Sequence, residues 1–114
     1  MTIQDIALRI SGSSIPAVGS DQRDYQLAFA SDLMSDVLTV DCDNLILITG
    51  LVNTQTVRTA EMSEVGCIIL ARNKQPSAEM VALAKESNIS LILSPWSIFR
   101  ICGELYGAGI RPVF

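Results

Sequence analysis

Apolar residues fall at helical spacing at Ile3, Ile6, Ala7 and Ile10, and Thr2 stands where it can cap the first turn, which predicts a helix from about Thr2 to Ile10. Gly12 and Ser13 end it. A short strand through Ile15 and Val18 can follow. Gly19-Ser20-Asp21 then read as a turn, and Tyr25 to Ala30 alternate as a strand does. Ser31 is placed to cap the next helix, whose apolar face would comprise Leu33, Met34, Val37 and Leu38. Asp32, Ser35 and Asp36 would lie near its start, where negative charge suits the helix dipole.

The second half has a simpler rhythm. Short apolar runs predict strands at Leu45 to Thr49, Cys67 to Ala71 and Ser90 to Leu93, and helices are expected over Thr54 to Val65, Pro76 to Ser87 and Pro95 to Tyr106. Pro76 and Pro95 are read as first helical positions, Ser94 as the cap of the last helix and Gly107 as its end. Buried strands alternating with helices imply an α/β domain of three α/β/α layers, with a largely parallel central sheet spanning residues 1–114. Trp96, Phe99 and Leu105 on the last helix are expected in the core or at a subunit contact.

In such sheets ligands bind beyond the carboxyl ends of the strands. The loops expected there are Ser31-Asp32, Thr49 to Gln55, Arg72 to Lys74, and Ser94-Pro95. They offer hydroxyls, amides, helix amides and cations suited to a phosphate or carboxylate. The candidate ligand-binding residues are therefore Ser31, Asp32, Thr49, Gly50, Asn53, Gln55, Arg72 and Ser94. Each has a plainer reading too. Ser31 and Ser94 also suit plain helix caps, and Gly50 also suits a turn after a strand. Asp32 and Asp36, four apart, could share a magnesium ion or simply face solvent in a first turn. Asn53 and Gln55 have no obvious role in a mere connector.

Charge and chemistry narrow the functional classes. Eight basic and twelve acidic side chains give a net charge of −4 with no basic stripe, which argues against nucleic acid as a partner. The hydrophobic content is 49%, in runs too short to cross a bilayer, and the opening Met1 to Asp5 lacks the basic start and apolar stretch of a secretory signal; a cytoplasmic location is expected. Cys42, Cys67 and Cys102 form no metal-binding spacing, and histidine is absent, so neither a metal nor a Ser-His-Asp or Cys-His site is expected. Cys67 and Cys102 are expected in the core, with Cys42 the most exposed. No G-x-x-x-x-G-K-[ST] or G-x-G-x-x-G loop opens a helix, which leaves no support for nucleotide hydrolysis. No cofactor and no catalytic residue is expected.

The stretch Arg23 to Val37, RDYQLAFASDLMSDV, followed by Leu47-Ile48-Thr49-Gly50 and the helix from Gln55 to Ala60, resembles the DRTGG domain. Ser31 to Val37 is the most specific piece, and the likeness extends through Ser94-Pro95 to Leu105-Tyr106-Gly107. The glycine pair of the family's name is replaced here by Leu27-Ala28. The resemblance implies a fold like the N-terminal domain of HPr kinase/phosphorylase. It also implies a place beside catalytic or nucleotide-sensing domains, a partner enzyme, and association as a homodimer. Two functions follow as expectations. One is a non-catalytic regulatory module that binds a nucleotide or other anionic metabolite at the loop edge. The other is an assembly module that binds no small molecule and uses an apolar face as a homodimer or docking subunit.

Overall fold

The computed structural model describes residues 1–17 and 19–114, so the expected strand position Val18 lies outside the described residues. In chain order the elements are α1 (Ile3–Arg9), β1 (Ser13–Ile15), β2 (Leu27–Ala30), α2 (Met34–Val37), β3 (Leu45–Thr49), α3 (Thr54–Met62), β4 (Val65–Leu70), α4 (Ala78–Glu86), β5 (Ser90–Leu93), α5 (Ile98–Gly107) and β6 (Arg111–Pro112). They form the expected α/β domain, with a six-stranded sheet in the order β1-β5-β4-β3-β2-β6. The bridged strands run parallel except β1, which is antiparallel to β5.

The runs at β3, β4 and β5 read as continuous apolar segments because both faces of the sheet are covered. Within each run alternate residues go to opposite layers. Ile46, Ile48, Cys67, Ile69 and Ile92 pack with Ile3, Ile6 and Ile10 of the first helical segment and with Ile101 and Leu105 of α5. Leu45, Leu47, Ile68, Leu70 and Leu91 pack instead with Val37, Val57, Ala60, Met80 and Ala84 of α2, α3 and α4. The chain therefore winds from β2 to β5 with its helices on one face. It then turns back through α5 on the other face to lay β6 beside β2.

The caps explain where the helices begin. Thr2 caps α1 in a reciprocal box: Asp5 N donates to Thr2 Oγ1 at 3.3 Å, and Thr2 N donates to Asp5 Oδ2 at 3.1 Å. Asn53, Ser77 and Ser97 cap α3, α4 and α5. Two expected caps are thus corrected. Ser94 does not cap the last helix, and Pro76 and Pro95 lie outside α4 and α5 rather than at their first positions. Ser31 does not cap α2 either, because that helix starts only at Met34 and has Leu33 at its cap position, with no side-chain bond. Ser31 Oγ instead accepts from Leu33 N in a local turn.

The late start of α2 also overturns its expected faces. Val37 is buried, but Leu33 and Leu38 are about half exposed or more. Asp32 lies in the loop and Asp36 in the helix, so the two carboxylates do not share a helical face. Tyr25 and Gln26 precede β2 rather than beginning it. Cys67 is buried as expected, whereas Cys42 and Cys102 are both half-buried. On α5 Leu105 is core, Trp96 before it is half-buried with Arg100 stacked 3.7 Å from its ring centre, and Phe99 is 90% exposed.

Candidate functional site: the carboxyl edge of the sheet

The four loops do converge beyond the carboxyl ends of β2 to β5, and a continuous set of hydrogen bonds ties them together. Ser31 N donates to Ile48 O at 3.1 Å and Ala71 N to Thr49 O at 3.2 Å. Asp32 reaches across from the β2 loop: its Oδ1 accepts from Thr49 Oγ1 and from Gly50 N, each at 2.8 Å. The Gly50 amide, then the Thr49 hydroxyl, hold the Asp32 carboxyl below its ordinary value, and the positive charge of Lys74 adds to this. Thr49 is fully buried, and its hydroxyl also accepts from Leu51 N at 3.2 Å.

The crevice of a doubly wound sheet opens where successive crossovers pass to opposite faces. Here that point lies between β4, which leads to α4, and β5, which leads to α5. The two loops are laced together across it, Arg72 N donating to Trp96 O and Asn73 N to Ser94 O, each at 2.9 Å. Arg72 and Asn73 adopt φ of 61° and 58°, which turns their amides toward the β5 loop. The backbone donors of this crevice are thus used internally, and the groups left to meet a ligand are side chains on the rim.

The eight candidates therefore separate. Asp32, Thr49 and Gly50 form one bonded cluster at the centre of the rim. Arg72 is exposed, makes no ion pair among the described residues, and stands two positions from Lys74, which is likewise exposed and unpaired. Gln55 is exposed on the first turn of α3, with only a 3.4 Å bond from its Nε2 to Thr59 Oγ1. Ser31 is half-buried in its turn. Ser94 is fully buried beneath the rim, donating from Oγ to Ile10 O at 2.7 Å and accepting from Trp96 N, so it braces the site from below. Asn53 Oδ1 faces its own helix, accepting from Thr56 N at 2.9 Å and from Thr56 Oγ1 at 3.0 Å. Replacing Asn53 with alanine is expected to cost about 1 kcal/mol of stability through loss of this cap, measurable by urea denaturation without any ligand.

A second polar centre, at the amino ends of the strands, was not visible as such in the sequence. Asp21 is 3% exposed and accepts hydrogen bonds from Arg23 Nε and Nη2 at 3.0 and 2.9 Å, from Tyr25 Oη at 2.6 Å and from Ser90 Oγ at 2.7 Å. Arg23 continues to Gly66 O and Asn88 O, and Ala17 N donates to Ser90 Oγ. Burial by itself raises the Asp21 carboxyl, but the donors from Arg23, Ser90 and Tyr25 outweigh it and hold the group far below its ordinary value of 3.8. Burial first, and donation to Asp21 second, push Tyr25 well above its ordinary 10.0. The spacing of two between Asp21, Arg23 and Tyr25 is the signal that carried this centre, since an extended segment puts such residues on one side.

No known family profile matches the chain, and neither does any curated protein. Among solved structures it is similar to the CBS and DRTGG domains of the regulatory region of Clostridium perfringens pyrophosphatase, a complex with the activator diadenosine tetraphosphate. The TM-score is 0.74 at 17% identity over 91% of this chain. The match spans 45% of that chain, less than half its length. At this identity the likeness establishes the α/β fold. Among the described residues no helix is long and apolar enough to cross a membrane, and no group of three or more Cys, Asp or Glu side chains is arranged to hold a metal ion.

Proposed function

We propose that this chain is a DRTGG-like, non-catalytic regulatory module that senses an anionic metabolite, with nucleotides as the leading class, at the carboxyl edge of its sheet, and passes the occupancy to a partner enzyme. The observation that carries the reading is the rim itself. Loops from four successive strands are hydrogen-bonded into one unit, while Arg72 and Lys74 are exposed and, among the described residues, form no ion pair. Those cations lie on the loop after β4, which is bonded to the β3 loop through Ala71 and to the β5 loop through Arg72 and Asn73, so an anion held there acts on the other loops through that network. The regulatory setting and nucleotide activator of the pyrophosphatase region add support.

A ligand that binds only the folded state stabilises it by mass action, by about 2.7 kcal/mol at a concentration of 100 times Kd. Thermal unfolding with ATP and with diadenosine tetraphosphate is expected to give a concentration-dependent rise in Tm. The rise should be lost in an Arg72→Ala, Lys74→Ala double variant whose unliganded Tm is unchanged. No rise with either nucleotide, or an equal rise in the double variant, contradicts the reading.

A second reading, a homodimeric assembly module, is favoured by one face of α5. Phe99 and Tyr106, seven residues apart and therefore on the same side of the helix, are 90% and 58% exposed. Sedimentation of the wild type against Phe99→Asp tests it: a dimer that becomes monomeric in the variant supports this reading, and a wild-type monomer rules it out.

A further inference from the structure

On the face of the sheet covered by α1 and α5, the layer is built of Ile46, Ile48, Cys67, Ile69 and Ile92 at β3, β4 and β5 but of Ala28 and Ala30 at β2. Beside these small side chains there is open space between the sheet and the last helix. The result is a groove of about 170 Å³ between β2, β6 and α5, whose apolar lining includes Ala28, Ala30, Ile48, Leu105 and Ile110. Cys102 also lines the groove, and burial raises its thiol above the ordinary value.

Tyr106 and Arg111 bring polar groups to the lining of the groove. The Arg111 guanidinium lies 5.2 Å from the centre of the Tyr106 ring. Arg111 has no ion-pair partner among the described residues, and no aspartate or glutamate lines the groove. The groove therefore pairs a ring-sized apolar space with a positive charge, unpaired among the described residues, that lies within cation–π range of an aromatic ring. A cavity of about 150 Å³ is large enough for benzene. A planar guanidinium is suited to a planar carboxylate, which it can engage through two parallel N–H donors.

We propose that this groove is a binding site for a small aromatic carboxylate, its ring over Ala28 and Ala30 and its carboxylate on Arg111. The groove is lined by neither Arg72 nor Lys74, and its apolar lining selects for a ring where the rim cations select for charge alone. The ring displaces water from an apolar space and packs against Tyr106, while the charge is met at the mouth, where it stays partly hydrated.

Titration of the ¹⁵N-labelled protein with benzoate, followed by amide chemical shifts, tests the assignment. Saturable shifts are expected at Ala28, Ala30, Cys102 and Tyr106, with a Kd on the order of 1 mM, in keeping with so small a ligand. Benzyl alcohol, the ring without the charge, and acetate, the charge without the ring, should each bind at least about tenfold more weakly. Arg111→Ala should weaken benzoate by a similar factor and leave benzyl alcohol unchanged. Benzoate should also slow maleimide labelling of Cys102 in the wild-type protein while leaving Cys42 labelling unchanged, a readout that needs no variant to fold. Equal shifts with acetate, an unaltered benzoate affinity in Arg111→Ala, or no saturable shift at these amides overturns the proposal. So does a set of shifts that follows protein concentration without ligand, which would place a second copy of the chain on the groove.

Discussion

Replacing Asp21 with alanine is expected to lower the stability of the fold by about 3–5 kcal/mol, the scale seen when one member of a buried ion pair is removed. The substitution leaves the Arg23 guanidinium, the Tyr25 hydroxyl and the Ser90 hydroxyl without the acceptor they converge on. Their loss is felt widely because Arg23 also bonds Gly66 O and Asn88 O, so the centre joins the segment before β2 to the starts of β4 and β5. For a domain of this size the fall in Tm should exceed about 10 °C. Urea denaturation followed by circular dichroism measures it, and a loss below about 1 kcal/mol would contradict the assigned role.

The same centre predicts a pH dependence of definite sign. The folded state holds the Asp21 carboxyl far below its ordinary value of 3.8, so the unfolded chain takes up this proton first. The stabilisation from Asp21 is fully present above about pH 5, where the unfolded carboxyl is ionised as well, and it is lost progressively as the pH falls through and below 3.8. Asp5, Asp24 and Asp32 are also lowered, so the difference between the wild type and Asp21→Ala isolates this one group. That difference should be constant from about pH 5 to 8 and shrink in acid. A difference that grows as the pH falls would reverse the sign and refute the argument.

Gly66→Ala is the second substitution with a large expected effect, about 1–3 kcal/mol from overpacking. The pairing of β3 with β4 skips this residue: Leu45 opposes Val65 and Ile46 opposes Cys67, so Gly66 sits at a bulge. A Cβ there would lie 2.9 Å from Tyr25 Cε1 and 3.0 Å from both Tyr25 Oη and Arg23 Nη1. Tyr25 is fully buried and bound to Asp21, so it has little room to retreat. The cost of Gly66→Ala should therefore be smaller in an Asp21→Ala background, where Tyr25 and Arg23 are released. A double-mutant cycle by chemical denaturation reads this coupling. Strict additivity would mean that Gly66 and the polar centre are independent.

These effects show what pattern alone conveys and where it stops. The strands β3, β4 and β5 were legible because burial on both faces makes them continuous apolar runs, and their alternation between two helical layers is built into the pleat. The cap Thr2 was legible because its partner Asp5 is local. The start of α5 was not. The sequence Ser94-Pro95-Trp96-Ser97 holds two serines, and the choice between them is made by a distant group: the Ile10 carbonyl takes the Ser94 hydroxyl, the chain bends through Pro95 and Trp96, and Ser97 caps the helix. Ser31 was misread for a related reason, since its hydroxyl closes a turn with Leu33 and delays the helix to Met34.

The candidate site was legible in part. Sequence order places the four loops at one edge, but it carries no sign that Asp32 lies across Thr49 and Gly50, nor that the β4 and β5 loops bond to each other over the crevice. Both depend on the separation of neighbouring strands. Ser94 and Asn53 are occupied with the fold, whereas Arg72 and Lys74 are exposed and form no ion pair among the described residues, which is why the proposed reading rests on them. The Asp21 centre stayed hidden because Gly19-Ser20-Asp21 also suits a turn, and its partner Ser90 lies 69 residues further along the chain.

The most direct test of the regulatory reading is a map of amide chemical shifts in the ¹⁵N-labelled protein on titration with ATP. An anion held at the rim should move the amides of Asp32, Gly50, Arg72, Asn73 and Trp96 together and saturably, and little at the opposite edge around Arg23 and Asn88. Absence of any saturable change, or changes centred on Arg23 and Asn88 with a silent rim, would contradict it.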